Sequence, residues 1–320
     1  MKEPVLTVES LHCSFRRRGG FARAPEIQAV RGVDLHLHAG QIHGLAGESG
    51  SGKSTLARAL VGLVPIRGGK VRLSAPDDAG DGPADPRRLV QLVFQDPSSA
   101  LSPRRTVAQT LEEAARHFDL PSDRSDLTAA LAAVGLEASA LDRLPRQFSS
   151  GQRQRIALAR ALICQPRVLV ADEPLASLDV SVQARILALL RTLREERQLA
   201  ILLISHDLAV LRENANQLSV MYRGRCVESG PAESVFGHPA HPYTRQLMDA
   251  LPRLERDTEA AAGEPPPLPA IASQAPGKGC SFLPRCRAAM SRCSREAPGS
   301  WTVSGSADHH VECHLHDESR

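Results

Sequence analysis

The sequence Gly47-Glu48-Ser49-Gly50-Ser51-Gly52-Lys53-Ser54-Thr55 fits the pattern G-x-x-x-x-G-K-[ST] of a phosphate-binding loop. An apolar run typical of a strand, Ile42 to Ala46, comes directly before it, and a helical pattern runs from Lys53 to about Leu63. A strand before the loop and a helix after it are the context that this pattern requires. The chain is therefore predicted to be an α/β protein with a phosphate site at the end of a buried strand.

The chemistry of this loop predicts ATP and Mg²⁺ as ligands. Glycines allow backbone N–H groups to turn inward around phosphate oxygens, and the N-terminus of the following helix adds partial positive charge. The ammonium group of Lys53 then neutralises the β and γ phosphates, and the Ser54 hydroxyl ligates Mg²⁺. The residues that we expect to bind the nucleotide here are Gly47, Ser49, Gly50, Gly52, Lys53, Ser54 and Thr55.

A second motif places two carboxylates after a buried strand. The continuous apolar run Val168 to Ala171 is typical of a strand buried on both faces, and Asp172 and Glu173 follow it. Asp172 is suited to hold Mg²⁺ and the nucleotide, and Glu173 is suited to polarise the attacking water. Together with the phosphate loop, this pair predicts a P-loop nucleoside triphosphatase.

A third motif narrows the class. The sequence Gln147-Phe148-Ser149-Ser150-Gly151-Gln152-Arg153-Gln154-Arg155 resembles the signature of ABC ATPases. The resemblance extends over about residues 5 to 251. Further features of the family stand in the expected order, namely Gln95 in Phe94-Gln95-Asp96-Pro97, Ser177-Leu178-Asp179, and His206 in Ile204-Ser205-His206-Asp207.

The resemblance implies that two such chains share ATP at a dimer interface. It implies that Gln95 senses Mg²⁺ and the membrane partner, and that His206 contacts the γ-phosphate and keeps Glu173 and the water in line. ATP then joins the two subunits, and its hydrolysis lets them reopen. Binding of the nucleotide held by the opposite subunit is assigned to three signature residues, Ser149, Gly151 and Gln152.

One signature position departs from the family, which usually has glycine where this chain has Ser150. If that position needs φ > 0 or close backbone approach to phosphate, a Cβ there costs about 1 kcal/mol or more. Hydrolysis at the site that this signature completes would then be slowed. Because Ser149 and Gly151 are present, we expect impairment at most.

An aromatic residue near the N-terminus is expected to stack on the base of the nucleotide. In this family the matching position is Phe15, in His12-Cys13-Ser14-Phe15. Stacking needs only a π-face, so Phe can replace the more usual Tyr. Phe21 lies close by, in an Arg/Gly-rich insertion, and competes for the same role.

The implied fold is an ABC cassette, with a mixed β core, a RecA-like parallel sheet and a helical subdomain. We expect the ATPase domain at residues 1–254, with the helical subdomain at about 104–165, where apolar residues recur at helical spacing. The run Glu264-Pro265-Pro266-Pro267-Leu268-Pro269 predicts an extended linker at 255–278. A small cysteine-containing extension follows at 279–320.

The C-terminal third resembles the extension of oligopeptide and dipeptide importer ATPases. The resemblance rests on His238-Pro239-Ala240-His241-Pro242-Tyr243-Thr244 and on Gly279-Cys280-Ser281-Phe282-Leu283-Pro284-Arg285-Cys286. The insertion Phe15 to Ala24 is similar to the F-type of their two paired ATPases. Importers of nickel, and of some glycosides or antimicrobial peptides, share this pattern. Peptide is therefore the expected cargo, and nickel or another small solute is the alternative.

The extension carries four of the seven cysteines, with gaps of five, six and nineteen residues. Such gaps do not match the short C-x₂-C pairs of zinc ribbons. Some ATPases of the family carry a [4Fe-4S] cluster on the equivalent cysteines, and four thiolates are the required ligand set. An iron–sulfur cluster, zinc and a metal-free or redox-active tail all remain open for Cys280, Cys286, Cys293 and Cys313.

Composition and the resemblance together indicate where the chain acts. A formal charge of +3 is too small to argue for nucleic acid as the main partner. No window approaches the ~20 apolar residues that span a bilayer, and the first residues do not resemble a signal peptide. We therefore expect a peripheral protein at the cytoplasmic face of the inner membrane. Its implied partners are a second ABC ATPase subunit, favoured to be a paralogue, two membrane-spanning permease subunits and an extracytoplasmic solute-binding protein.

Two other functional classes are alternatives to the transport ATPase. A soluble ABC ATPase that acts on ribosomes or DNA usually has two cassettes in one chain or a long coiled-coil insert, and this sequence has neither. A regulatory or redox-sensing module with a structural ATP site is favoured only by Ser150. The expected function is therefore ATP hydrolysis that energises an ABC importer.

Overall fold

The computed structural model of the chain describes residues 3–16, 26–74, 85–176, 178–250 and 279–317. The predicted linker at 255–278, Phe21 and Ser177 lie outside the described residues. Every other candidate site residue named above is described. The described residues form two β-sheets with helices packed around them, so the predicted α/β class is confirmed.

The two sheets differ in direction and size. One is a three-stranded antiparallel sheet of order β2-β1-β4, and the other has eight strands of order β10-β11-β9-β8-β3-β7-β6-β5. In the larger sheet, β8, β3, β7, β6 and β5 run parallel. The strands are β1 (Leu6–Arg16), β2 (Glu26–Leu37), β3 (Ile42–Ala46), β4 (Gly68–Leu73), β5 (Val90–Val93), β6 (Val168–Asp172), β7 (Ala200–Ile204), β8 (Gln217–Tyr222), β9 (Arg225–Pro231), β10 (Trp301–Thr302) and β11 (His310–Val311).

Most helices follow strands of the larger sheet along the chain, and three of them lie between β5 and β6 in the sequence. Short 3₁₀ turns lie at Pro97–Ser99, Ala138–Asp142, Pro145–Gln147, Leu283–Arg285 and His314–His316. The α-helices of the described residues are α1 (Lys53–Leu60), α2 (Pro86–Leu89), α3 (Val107–Arg116), α4 (Arg124–Ala132), α5 (Ser150–Leu162), α6 (Val180–Arg197), α7 (Leu208–Asn214), α8 (Ala232–Gly237), α9 (Pro242–Asp249) and α10 (Ser291–Arg295).

The parallel strands are buried on both faces, as their continuous apolar sequences predict. Along β7, Leu203 belongs to the apolar cluster that contains Leu158 of α5. Its neighbour Leu202 belongs to a second cluster with Leu56 of α1 and residues of the three-stranded sheet. Successive side chains of a strand point to opposite faces, so each central strand contributes to two cores and is fixed from both sides.

Helix α1 is shorter than the sequence indicates. It ends at Leu60, whereas the pattern predicts a helix to about Leu63. Gly62 has a φ of 76°, a left-handed conformation that ends a helix without the steric penalty of a Cβ. The apolar residue Leu63 beyond it is exposed, so its apolar character does not indicate helix burial.

The C-terminal extension joins the larger sheet. Strand β11 pairs antiparallel with β9, with His310 opposite Ser229, and β10 pairs with β11. Glu228 of β9 is buried, and its carboxylate accepts a hydrogen bond from His309 at 2.7 Å. In the part of the chain that the structure covers, no helix has both the length and the apolar character needed to cross a membrane.

Candidate nucleotide-hydrolysis site

The predicted catalytic residues meet at one edge of the larger sheet. The phosphate loop follows β3, Asp172 ends β6 with Glu173 directly after it, His206 follows β7, and Gln95 follows β5. These strands are parallel neighbours in the order β3-β7-β6-β5, so their carboxyl ends lie side by side. The crevice beyond the carboxyl ends of parallel strands is where ligands bind in such sheets.

The glycines of the phosphate loop are required by close backbone contacts. Gly47 has a φ of 145°, and a Cβ there would lie 2.3 Å from the Met221 carbonyl oxygen of β8. A Cβ on Gly52, where φ is 109°, would lie 2.3 Å from the Ala29 carbonyl oxygen of β2. Gly50 has open space around it and is set apart by its φ of 79° alone. The loop is therefore wedged between the two sheets, with backbone carbonyl oxygens as the closest contacts of Gly47 and Gly52.

Lys53 is buried in the centre of this loop. Its ammonium donates hydrogen bonds to the carbonyl oxygens of Gly47 at 2.6 Å and Glu48 at 3.0 Å. Burial lowers the pKa of Lys53, and the nearby carboxylates of Glu173 and Asp172 oppose that shift. A cation held in a glycine loop by carbonyl oxygens is suited to exchange those contacts for phosphate oxygens.

The side chains of Ser54 and Asp172 provide two neighbouring oxygen ligands that suit Mg²⁺. The Ser54 hydroxyl donates to Asp172 Oδ1 at 3.1 Å. Burial raises the pKa of Asp172, and the hydrogen bond from Ser54 opposes this. A buried carboxylate without a full counter-charge favours binding of a hard cation, and hydroxyl and carboxylate oxygens are ligands that Mg²⁺ prefers.

Ser51 adds an unassigned polar group to the loop. Its hydroxyl oxygen is buried and has no hydrogen-bond partner. Such a group is costly to leave unpaired and marks a place where a ligand or water is expected. The sequence pattern treats this position as variable, so it gives no signal for the residue.

Glu173 and His206, for which the sequence predicts a joint role, lie side by side. Nδ1 of His206 lies 3.2 Å from Oε2 of Glu173. The backbone of Glu173 has a φ of 48°, and its N–H donates to the Ile204 carbonyl oxygen of β7 at 3.0 Å. Positive φ is uncommon outside glycine and persists where surrounding contacts impose it. The strand end thus fixes the direction in which this carboxylate leaves the chain.

The signature residues lie at the exposed N-terminus of α5. Ser149 caps the helix by accepting from the Gln152 N–H at 3.3 Å, and the Gln152 side chain accepts from the Ser149 N–H at 3.0 Å. This capping box holds both side chains at the helix end. Among the described residues, no hydrogen bond joins the signature to the phosphate loop. Within one chain the signature therefore stands apart from the site whose chemistry it is expected to complete.

The backbone strain considered for Ser150 is absent. Ser150 is the first residue of α5 and is not among the described residues with positive φ. The glycine requirement lies one residue later, because a Cβ on Gly151 would lie 2.4 Å from Val182 Cγ1 of α6. The close packing of two helices, which sequence alone does not reveal, explains the glycine at this position.

Phe15 lies at the end of β1 and is 40% exposed. It pairs with Ile27 in β2. Two residues further along β2 is Ala29, whose carbonyl oxygen packs against Gly52 of the phosphate loop. This neighbourhood agrees with a role in base stacking, and the competing Phe21 lies outside the described residues.

The four cysteines of the extension are free thiols that lie within electrostatic reach of one another. The pKa of Cys313 is raised to about 11, mainly by burial and further by the charges of Cys280, Cys286 and Cys293. Among the described residues, however, no group of three or more Cys, His, Asp or Glu side chains is arranged to hold a metal ion. The thiols lie near one another, but their arrangement among the described residues does not form a ligand set for a metal ion.

Tyr243 and Arg285, which lie outside the ATPase motifs, form hydrogen bonds with Glu48 of the phosphate loop. The Glu48 N–H donates to the Tyr243 hydroxyl at 2.9 Å. The Glu48 carboxylate accepts two hydrogen bonds from Arg285 of the extension, both at 2.8 Å. Sequence reasoning used Tyr243 and Arg285 only as marks of family resemblance. Their separation from Glu48 by 195 and 237 residues left no local signal for the contact.

Comparison with known protein families agrees with these features. Residues 30–176 match the family described as ABC transporter, and residues 227–293 match the oligopeptide/dipeptide transporter C-terminal region. A part of an ABC transporter complex from Clostridium perfringens has a TM-score of 0.61 and 27% identity, covering 74% of this chain and 92% of that one. A dimeric ATP-binding cassette in a post-hydrolysis state with ADP and phosphate has a TM-score of 0.60 and 26% identity, covering 71% and 98%.

Relatives of known name match nearly the whole chain. The dipeptide transport ATP-binding protein of Bacillus subtilis is 38% identical and covers 99% of this chain and 96% of its own length. The oligopeptide transport ATP-binding protein of Salmonella typhimurium is 39% identical, with coverages of 98% and 96%. A putative peptide import ATP-binding protein of Brucella abortus is 42% identical, with coverages of 91% and 87%. The chain therefore belongs to the ATP-binding, ATP-hydrolysing subunits of ABC transporters, in the group that carries the oligopeptide/dipeptide transporter C-terminal region.

Proposed function

We propose that this ATPase energises the import of oligopeptides or dipeptides. The observation that carries the proposal is the C-terminal region at 227–293, which marks oligopeptide/dipeptide transporters and here supplies Tyr243 and Arg285 to the phosphate loop. Relatives named for peptide import share the chain over nearly its whole length, which supports the same cargo. The proposed location is the cytoplasmic face of the inner membrane, as a peripheral subunit.

The proposed division of labour follows the geometry at the sheet edge. Lys53 leaves its two carbonyl partners to hold the β and γ phosphates, while Glu173 accepts the proton of the attacking water. His206, beside Glu173, keeps that carboxylate and the water in line. Mg²⁺, when held by Ser54, Asp172 and Gln95, would neutralise phosphate charge. Catalysis is thus mainly positioning and charge neutralisation.

The proposed assembly supplies what a single chain lacks. The exposed signature at the start of α5 binds the nucleotide of a second ATPase, which we propose is a paralogue. Two permease subunits receive the closing motion through the region of Gln95 to Arg105, and an extracytoplasmic protein delivers the cargo. The proposed units are the ATPase domain at 1–254 with its helical subdomain at about 104–165, the linker at 255–278 and the extension at 279–320.

Reconstitution tests the proposal directly. The chain would be assembled with its permease subunits, second ATPase and binding protein in lipid vesicles, and ATP hydrolysis would be measured with dipeptides, longer peptides or Ni²⁺. We expect peptide-loaded binding protein to stimulate hydrolysis and peptide to accumulate. Stimulation by Ni²⁺ alone would replace peptide with nickel as the cargo, and hydrolysis without any uptake would favour a soluble ATPase.

We also propose a [4Fe-4S] cluster on the four cysteines, supported by their convergence as free thiols. Their present arrangement is not a closed ligand set, so we derive no step of ATP turnover from it. Anaerobic purification with iron, sulfide and zinc analysis tests the proposal. We expect stoichiometric iron and sulfide that are lost in Cys286→Ser. Zinc in their place, or no metal at all, would reject the iron–sulfur assignment and leave the ATPase assignment intact.

A further inference from the structure

The extension touches the phosphate loop through one charged pair. The guanidinium of Arg285 donates from both terminal nitrogens to the two carboxylate oxygens of Glu48, each at 2.8 Å. This bidentate geometry is the strongest arrangement for an arginine and a carboxylate. The pair joins residue 48 of the loop to residue 285 of the extension, so the two regions are in direct contact.

Two aromatic rings hold the Arg285 side chain in place. Its guanidinium lies 5.8 Å from the ring centre of Phe282 and 5.9 Å from that of Tyr222, at cation–π distance. The same rings pack against Tyr243, which accepts the Glu48 N–H. The aromatic cluster therefore fixes the arginine and the loop backbone together, and little side-chain freedom remains to be lost when the pair forms.

Glu48 places a negative charge in a loop that must bind a negative ligand. Its charge raises the pKa of Lys53, the cation of the loop. Hydrogen bonds from Arg285 lower the pKa of Glu48, so the carboxylate is ionised at neutral pH. An ionised carboxylate without a counter-charge would repel the phosphates of a nucleotide across the loop.

We propose that Arg285 is a positioning residue for nucleotide binding, which neutralises and holds Glu48 so that the phosphate loop accepts the anionic ligand. The cysteine-bearing extension thereby sets the nucleotide affinity of the ATPase domain. The inference rests on the proposed nucleotide site and adds the residue through which the extension acts on it.

The test is a double-mutant cycle of Arg285 and Glu48 in the full chain. MgADP binding would be measured by titration calorimetry for the unaltered chain, Arg285→Ala, Glu48→Gln and the double variant. We expect Arg285→Ala to weaken binding roughly three- to tenfold at low salt, because the partly exposed pair is screened by solvent. Glu48→Gln should bind at least as tightly as the unaltered chain, and the double variant should return to within about twofold of it. A matched control is Arg292→Ala, which removes an arginine of the same extension that pairs with Glu296 and Asp317.

Salt separates the electrostatic effect from a merely structural one. At roughly 0.5 M salt the deficit of Arg285→Ala should shrink below about twofold, whereas damage to the extension would persist. Affinity of Arg285→Ala equal to that of Arg292→Ala, or no recovery in the double variant, would overturn the inference. Failure of the unaltered chain to bind MgADP would instead reject the nucleotide site itself, so the two failures are distinguishable.

Discussion

The phosphate loop and the signature are held in opposite ways within one chain. The loop is wedged between two sheets, with Lys53 buried and Gly47 and Gly52 against backbone carbonyls. At the start of α5 the signature residues Ser149 and Gln152 are exposed, and each side chain accepts a hydrogen bond from the backbone N–H of the other. One half of the machinery is fixed inside the subunit, and the other is presented outward. Changes in the two halves should therefore fail in different ways.

The largest effect is expected on the buried side, at Glu173. Glu173→Gln removes the proposed proton acceptor while keeping size and hydrogen bonding, so turnover should fall roughly 10²- to 10³-fold with nucleotide binding retained. Steady-state hydrolysis, with gel filtration in ATP to detect a trapped dimer, measures both. Lys53→Ala is the contrast, since it should lose binding itself. Normal turnover in Glu173→Gln would remove Glu173 from its role.

The next prediction concerns the buried contact between the extension and β9. His309→Ala leaves the carboxylate of Glu228 buried without its histidine partner, although the N–H groups of Ala240 and His241 remain bonded to it. Removing one partner of a buried hydrogen bond to a carboxylate costs about 1 to 3 kcal/mol. Chemical denaturation of the full chain should show that loss, with His310→Ala, an exposed neighbour, as the control. Equal stability of the two variants would contradict a buried anchor at this position.

On the exposed side, the prediction concerns two adjacent residues. Gly151→Ala places a Cβ against Val182, so α5 must shift, at a cost of about 1 to 2 kcal/mol. If the same cost is felt in the closed dimer, cooperative hydrolysis should fall roughly tenfold while the chain still binds nucleotide through its own loop. Ser150→Gly is the matched control and should change turnover less than about twofold, because Ser150 has no positive φ to relieve. A larger effect at Ser150 than at Gly151 would reverse this assignment.

The smallest expected effect is a pH dependence of stability caused by His241 at the start of α9. His241 caps α9 by accepting from the Tyr243 N–H at 3.0 Å, and burial lowers its pKa to about 4. In the unfolded chain this histidine takes up a proton near pH 6.5, whereas in the folded chain it does so only near pH 4. Its contribution to the free energy of unfolding is therefore fully present above pH 6.5 and is lost as the pH falls toward 4. His241→Asn keeps a capping oxygen without titrating. Between pH 7 and 5 the His241→Asn variant should lose about 1 to 2 kcal/mol less stability than the unaltered chain, as measured by denaturation. Identical pH profiles would refute the assignment.

Much of the fold and site follows from local sequence. Apolar runs before Gly47 and Asp172 predict strands β3 and β6, and the carboxyl ends of parallel strands meet, so the joining of Glu173 with His206 is predictable. These features depend on residues next to one another in the chain and on rules of sheet topology.

The rest depends on contacts between distant residues. The Arg285–Glu48 pair spans 237 residues and the His309–Glu228 pair spans 81, so neither leaves a periodic pattern. Strands β10 and β11 have two residues each, too few for an alternating signal. The need for glycine at residue 151 arises from Val182 on another helix. Such features are set by packing, which the local sequence does not specify.

The pairing of β11 with β9 also bears on how the protein avoids self-association. Without the extension, β9 would be the outermost strand of the larger sheet, with backbone N–H and C=O groups open to another chain. An uncovered edge strand is a template for intermolecular pairing and aggregation. The extension thus covers the margin of the sheet at Glu228 and Ser229, and a shortened chain ending before residue 279 is expected to aggregate more readily than the full chain.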